Sequence, residues 1–224
     1  MTPDEGHSLD PDRRLALSYV PSRSRAAVGA LWRLDAAMGA VLAGGREPMI
    51  SRIKLAWWRE ALERLDRERA PAEPVLGALA DFVLPAGVSG GALAGMEEGW
   101  SILLSDQPLM PSDLDLYARQ RGALLFGHSA KLLGGADNEA VRHAGEAWAL
   151  VDLARHCGNA EDSEAALGEA RRRAMPRGWH SLLRPLGMLA MLARRDLEAN
   201  RARWEAQGSP ARMLRMLRHR LTGA

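Results

Sequence analysis

The sequence predicts an all-α helix bundle, on three observations. Apolar residues recur at helical spacing along nearly the whole chain. Alternating runs of Val, Ile and Thr, which mark strands, are missing. Proline and glycine interrupt the pattern at helix-length intervals. With 224 residues, 47% of them hydrophobic, the chain can bury a core as one domain over 11–224 without a metal or disulfide.

The elements follow in order. An acidic, polar segment at 1–10 is expected to be loosely ordered, and a first helix at 11–19 stops before Pro21. Ser22 begins a second helix, 22–43, which ends at Gly44-Gly45. Pro48 opens a third over 48–69, with Ile50, Ile53, Trp57, Ala61, Leu62 and Leu65 as its expected inward face. Helices at 72–85, 89–105 and 112–134 are bounded by Pro71, Pro74, the turn Pro85 to Gly91, the turn Pro108 to Ser112, and Gly134-Gly135. The glycine pairs, Gly90-Gly91 included, read as helix termination. Helices at 137–157, 162–174, 178–206 and 210–221 complete the chain, with a looser polar stretch from Cys157 to Glu169. There is no internal repeat, low-complexity tract or interdomain linker.

Composition narrows the function. Cys157 is the single cysteine, so no intrachain disulfide can form; a small buried hydrophobe in a reducing cytoplasm is the expected reading. The segment Met1 to Asp12 lacks the apolar core of a signal peptide, and no uninterrupted run of about 18 apolar residues is present to span a bilayer. A net charge of +2 is too near neutral for a nucleic-acid surface. The six histidines, His7, His128, His143, His156, His180 and His219, form no zinc motif, and there is no nucleophile elbow or phosphate loop.

Several stretches carry more. Pro21 to Ala43 and then Arg52 to Leu62 place a proline, a short charged turn, an Ala-Leu-aromatic helix and an Arg-x-x-x-x-Trp-Trp-Arg helix in succession. Tyr117 to Leu124 follows as a Tyr-then-Gly helix, and Gly145 to His156 as Gly-x-Ala-x-x-Leu-x-x-x-x-Arg-His. In this order, over roughly residues 10–160, the chain resembles the squalene/phytoene synthase family. The resemblance implies a bundle of the isoprenoid (terpenoid) synthase type. It also implies condensation of two prenyl diphosphates on magnesium held by two Asp-x-x-x-Asp motifs on facing helices. Carboxylates at i and i+4 share a helix face, and hard oxygen ligands hold magnesium against the diphosphate that must depart.

Those aspartates are replaced. The family's first motif falls on Gly39 and Ala43, and the second on His156 and Ala160. The arginine that precedes the first motif falls on Ala36, whereas Arg155 matches the arginine beside the second and retains a charge for an anion. No catalytic residue and no metal ligand is therefore expected. The candidate pocket residues are Trp32, Asp35, Arg52, Trp57, Trp58, Tyr117, Asp152 and Arg155. Asp35 and Asp152 remain a route to one weak cation site; the plainer reading pairs Asp35 with Arg25 or Arg33, and makes the tryptophan pair core.

The first functional expectation is a binding or assembly factor without catalysis. A complex I assembly-factor branch of the family shares the loss, and its Arg-x-x-x-x-aromatic-Trp helix is similar to Arg52 to Arg59. The alternative is a prenyl transferase with a rearranged metal site at Asp35, Asp152 or Glu161, for which magnesium would be the cofactor; otherwise none is expected. A third reading is an isoprenoid or lipid carrier. The chain is also short after the second motif, which reduces the stretch that closes a prenyl channel. Expected partners are an isoprenoid ligand and a protein complex or membrane surface, at the cytoplasmic side of an inner membrane. The surface would be met by a basic amphipathic helix at 209–222, where Arg212, Arg215, Arg218 and Arg220 interleave with Met213, Leu214, Met216, Leu217 and Leu221. Its plainer reading is a last bundle helix with the apolar side inward.

Overall fold

The computed structural model describes residues 9–44, 47–105, 108–199 and 204–223, and among them every regular element is helical. The α-helices are α1 (Pro11–Ser18), α2 (Ser22–Gly44), α3 (Pro48–Arg64), α4 (Pro74–Ala78), α5 (Gly90–Ala94), α6 (Met96–Ser101), α7 (Pro111–Tyr117), α8 (Leu124–Leu132), α9 (Glu139–His156), α10 (Ala160–Arg171), α11 (Arg184–Glu198) and α12 (Pro210–Thr222). Wider π-helical turns continue α4 at Leu79–Val83 and join α7 to α8 at Ala118–Ala123.

Local chemistry explains most starts. Proline opens α1, α3, α4, α7 and α12, where its missing N–H has no helical partner to lose. Side chains of Asp10, Glu73, Ser89, Asn138, Asn159 and Ser209 accept from amides of the first turn. Asp10 thus belongs to the ordered chain, and Leu9 before it is buried, so the expected loose segment does not reach these two residues. Residues 1–8 of that segment lie outside the described residues.

Helix α2 runs through the core, with Val28, Ala30, Leu31, Leu34 and Met38 wholly enclosed. It is long and apolar enough to cross a membrane, although Arg33 and Asp35 interrupt its apolar run. Over half of the apolar window is buried inside the bundle.

Four expectations are corrected. Helix α3 ends at Arg64, not 69, because the chain turns there and Asp66 accepts from the amides of Gly90 and Gly91. Those glycines open α5; they do not end a helix. A Cβ on Gly90 would stand 2.1 Å from the Leu62 carbonyl oxygen.

The buried face of α3 is Ser51, Leu55, Trp58, Ala61 and Leu62, whereas Ile50, Ile53 and Trp57 are 45%, 63% and 42% exposed. At 3.6 residues per turn these three lie roughly a third of a turn from the buried stripe. The helix expected over 178–206 ends at Glu198, and Trp204 to Ala206 are not helical. Residues 200–203 lie outside the described residues. The helix expected over 162–174 is α10, which begins two residues earlier at Ala160, where Asn159 caps it.

Helix α9 packs against the π turn at 118–123 with almost no gap. A Cβ on Gly122 would lie 2.3 Å from the Gly145 oxygen, and one on Gly145 would lie 2.2 Å from the Gly122 oxygen. Backbone touching backbone leaves nothing to move aside. Gly122→Ala or Gly145→Ala should destabilise by more than about 2 kcal/mol in urea unfolding. Gly168→Ala, inside α10 with open space around it, should be neutral or stabilise by up to about 1 kcal/mol. Equal effects at the three sites would remove the close contact from the account.

Candidate functional site

The start of α1, the second half of α2, residues 100–105 with Leu109, the 117–121 turn and the end of α9 enclose a cavity of about 760 Å³. Asp35, Tyr117 and Arg121 form its buried floor. Its walls are largely apolar, with Ala36, Gly39, Leu42, Trp100, Leu103, Leu109 and Leu153. Arg14, Ala43, Ser105 and His156 line it while exposed to solvent, and so mark the rim.

Arg121 organises the floor. Its guanidinium donates to both oxygens of Asp35 (2.8 and 3.0 Å), pairs with Asp152 (2.8 Å) and donates to the Tyr117 hydroxyl. It lies 4.2 Å from the ring centre of Trp100 and 4.9 Å from that of Trp148. Arg13, from α1, bonds both Asp35 (2.7 Å) and Asp10. Trp100 Nε1 adds a bond to Asp35 Oδ1 at 3.2 Å. Asp35 therefore accepts four hydrogen bonds, two on each oxygen, which uses the whole capacity of a carboxylate.

The electrostatics follow from burial opposed by pairing. Burial alone would lift the Asp35 and Asp152 pKa values, but the guanidinium of Arg121, helped by Arg13, and for Asp152 also by His156, holds both below the ordinary carboxylate range. Burial would likewise lower the Arg121 pKa, yet the charges of Asp35 and Asp152 keep it well above its usual value. Burial raises the Tyr117 phenol. At the rim, the Asp152 hydrogen bond raises His156 against the effect of desolvation.

Three of the four positions to which the resemblance assigns the aspartate motifs face this space. Gly39 lies under Trp100, whose Cη2 would be 2.9 Å from a Cβ placed there. Ala43 and His156 stand at the rim, and His156 Nδ1 is 2.8 Å from the Asp152 carbonyl oxygen. Ala160, the first residue of α10, is exposed and outside the lining; Asp162, two residues on, lines the cavity and accepts from the Leu109 amide.

A family model of squalene/phytoene synthases matches residues 8–182. The chain belongs to the squalene/phytoene synthase family. Its all-α bundle is accordingly of the isoprenoid synthase type. No curated protein and no solved structure matches the chain.

The magnesium that this family implies can be tested against the donors present, and they do not fit. Among the described residues no group of three or more His, Cys, Asp or Glu is placed to hold a metal. Asp35 is saturated, Asp152 is paired with Arg121, and the two arginines already supply positive charge at the floor.

Of the expected pocket residues, Asp35, Tyr117 and Asp152 line the cavity together. The others do not. Trp32 is core, donating to Ser129 Oγ at 2.9 Å; Arg52 is exposed and donates to the Leu104 oxygen; Trp58 is buried in the bundle, with Trp57 outside it. Arg155 is engaged by Asp196 (2.7 Å), the Glu205 carbonyl and the Trp204 ring, and faces an adjoining cleft of about 30 Å³. The expected pairing of Asp35 with Arg25 or Arg33 is replaced by Arg13 and Arg121, because Asp35 points inward, where α1 and the π turn meet it. Cys157 is only partly buried and lines the cavity, so it is not a core hydrophobe.

Sequence reasoning missed Arg13, Trp100, Trp148 and the role of Arg121. Arg121 left a trace: it stands one turn after Tyr117 at the head of an apolar run, where a buried cation needs a carboxylate. Nothing in the sequence links Trp100 to Gly39.

The pairing has a pH signature. Asp35 and Asp152 contribute stability that is full above about pH 4 and is lost as pH falls through their lowered values. His156, raised by Asp152, contributes below about pH 6.5, and this is lost as pH rises through its raised value. In an NMR titration His156 should show a pKa above about 6.5 that drops in Asp152→Asn; an unchanged value would show that the two groups do not interact.

Proposed function

We propose that this protein is a non-catalytic member of its family that acts by binding, as an accessory or assembly factor at a membrane face. The observation that carries the reading is the saturated floor: Asp35 spends all its acceptor capacity on Arg121, Arg13 and Trp100, and Trp100 covers the position of the first motif. Diphosphate departure needs divalent cations clustered on free carboxylates, and guanidinium groups cannot coordinate the departing oxygens through a shared metal. The retained apolar walls suit an isoprenoid or other lipid ligand held without chemistry.

The accessory role draws support from α12. Arg212 faces inward to Asp12 and Asp196 and Met216 is buried, while Leu214 and Leu221 are 68% and 79% exposed on the other side. Such an outward apolar side, with exposed Arg218 beside it, suits a membrane or a protein complex. A membrane complex such as complex I is the partner that the likeness of Arg52 to Arg59 suggests. An active transferase using Glu161 fits less well, because Glu161 is exposed and outside the cavity lining.

The test is turnover. Purified protein with magnesium and farnesyl or geranylgeranyl diphosphate should release no diphosphate above a heat-inactivated control, and native mass spectrometry should show a co-purified apolar ligand. Release of diphosphate with a condensed product, abolished in Asp152→Ala, would refute the non-catalytic reading.

A further inference from the structure

The solvent side of α3 is apolar where a bundle helix is ordinarily polar. Met49, Ile50, Ile53 and Trp57 are 64%, 45%, 63% and 42% exposed, while Leu55, Trp58 and Leu62 turn to the core. At 3.6 residues per turn, Met49, Ile53 and Trp57 form one outward stripe, with Arg52 along one edge and Lys54 along the other. No acidic residue occurs from Pro48 to Arg59. Among the described residues neither Arg52 nor Lys54 has an acidic partner; Arg52 donates to the Leu104 carbonyl. Beyond Trp57 the helix becomes polar and self-paired, Arg59 with Glu63 and Arg64 with Glu60. The stripe is thus confined to the first half of the helix.

We propose that this half of α3 seats the protein on an anionic lipid bilayer. Met49, Ile53 and Trp57 enter the boundary between headgroups and acyl chains, and Arg52 and Lys54 extend along the stripe to meet lipid phosphates. Charge selects this occupant: two cations without an acidic partner among the described residues, on opposite edges of an apolar stripe with no acid between them, match a negatively charged planar surface.

Position gives the contact a purpose. Ser51 Oγ donates to the Val41 oxygen at 3.4 Å, and Arg52 to the Leu104 oxygen at 2.9 Å. The neighbours of those acceptors, Leu42, Ala43, Leu103 and Ser105, line the cavity beside its rim. A bilayer against α3 therefore lies next to the apolar wall, and a lipid-soluble ligand can pass between them with little exposure to water. This deepens the proposed membrane role by naming its surface.

The experiment is sedimentation of the full chain with vesicles of mixed phosphatidylglycerol and phosphatidylcholine, and of phosphatidylcholine alone. Binding should favour the anionic vesicles and weaken at high salt. Met49→Asp with Ile53→Asp, at exposed positions and checked for unchanged helicity, should lower partitioning at least about tenfold. Arg52→Glu with Lys54→Glu should abolish the preference for anionic lipid. No binding to either vesicle, or binding that survives the α3 changes, overturns the proposal. Binding lost instead in Leu214→Asp with Leu221→Asp overturns it too, while leaving a membrane role through α12 intact. Magnesium-dependent turnover would sink the non-catalytic reading and leave the vesicle result standing.

Discussion

A buried guanidinium is costly by several kcal/mol unless its donors are met, and the centre of this bundle is arranged around meeting those of Arg121. Asp35 from α2, Asp152 from α9 and Tyr117 from the preceding turn converge on it, and two indole rings cover its faces. The contact of Gly122 with Gly145 lets the π turn approach α9 closely enough for Arg121 to reach Asp152. Helix α1 is drawn in as well, since Arg13 supplies the second cation on Asp35. One charge thus ties together segments that are far apart in the chain.

The same pairing is what supports the proposal of a cavity that binds without catalysis. In a metal-dependent diphosphate site, carboxylate oxygens hold the cations against the departing oxygens. Here the carboxylates at the floor are satisfied by arginines belonging to the protein itself, and the ring of Trp100 rests on Gly39. What is left is volume with apolar walls and a polar floor already in balance, which suits holding a ligand more than activating one.

Much of the helical order was legible because it is local. Proline at helix starts, polar caps and glycine stops act within a few residues, so α1, α2, α9 and α12 fall close to their expected spans. The family likeness likewise rests on order along the chain. What could not be read depends on distant partners. The outward turn of Ile53 and Trp57 follows from a choice between two apolar stripes on α3, settled only by α5, α6 and α2 packing beside it. Gly90 reads as a helix stop until its approach to Leu62 is seen. Asp35 was recognisable as an unusual charge in an apolar helix, but Arg13 and Arg121 come from 22 and 86 residues away.

The central claim is that protein cations have taken the place of divalent ones. Electron paramagnetic resonance of manganese(II), titrated into the full chain with pyrophosphate present, tests it most directly. The spectrum should remain that of manganese bound to pyrophosphate in solution, with no protein-bound population. Two or three ions held per chain, and released in Asp35→Asn, would contradict it.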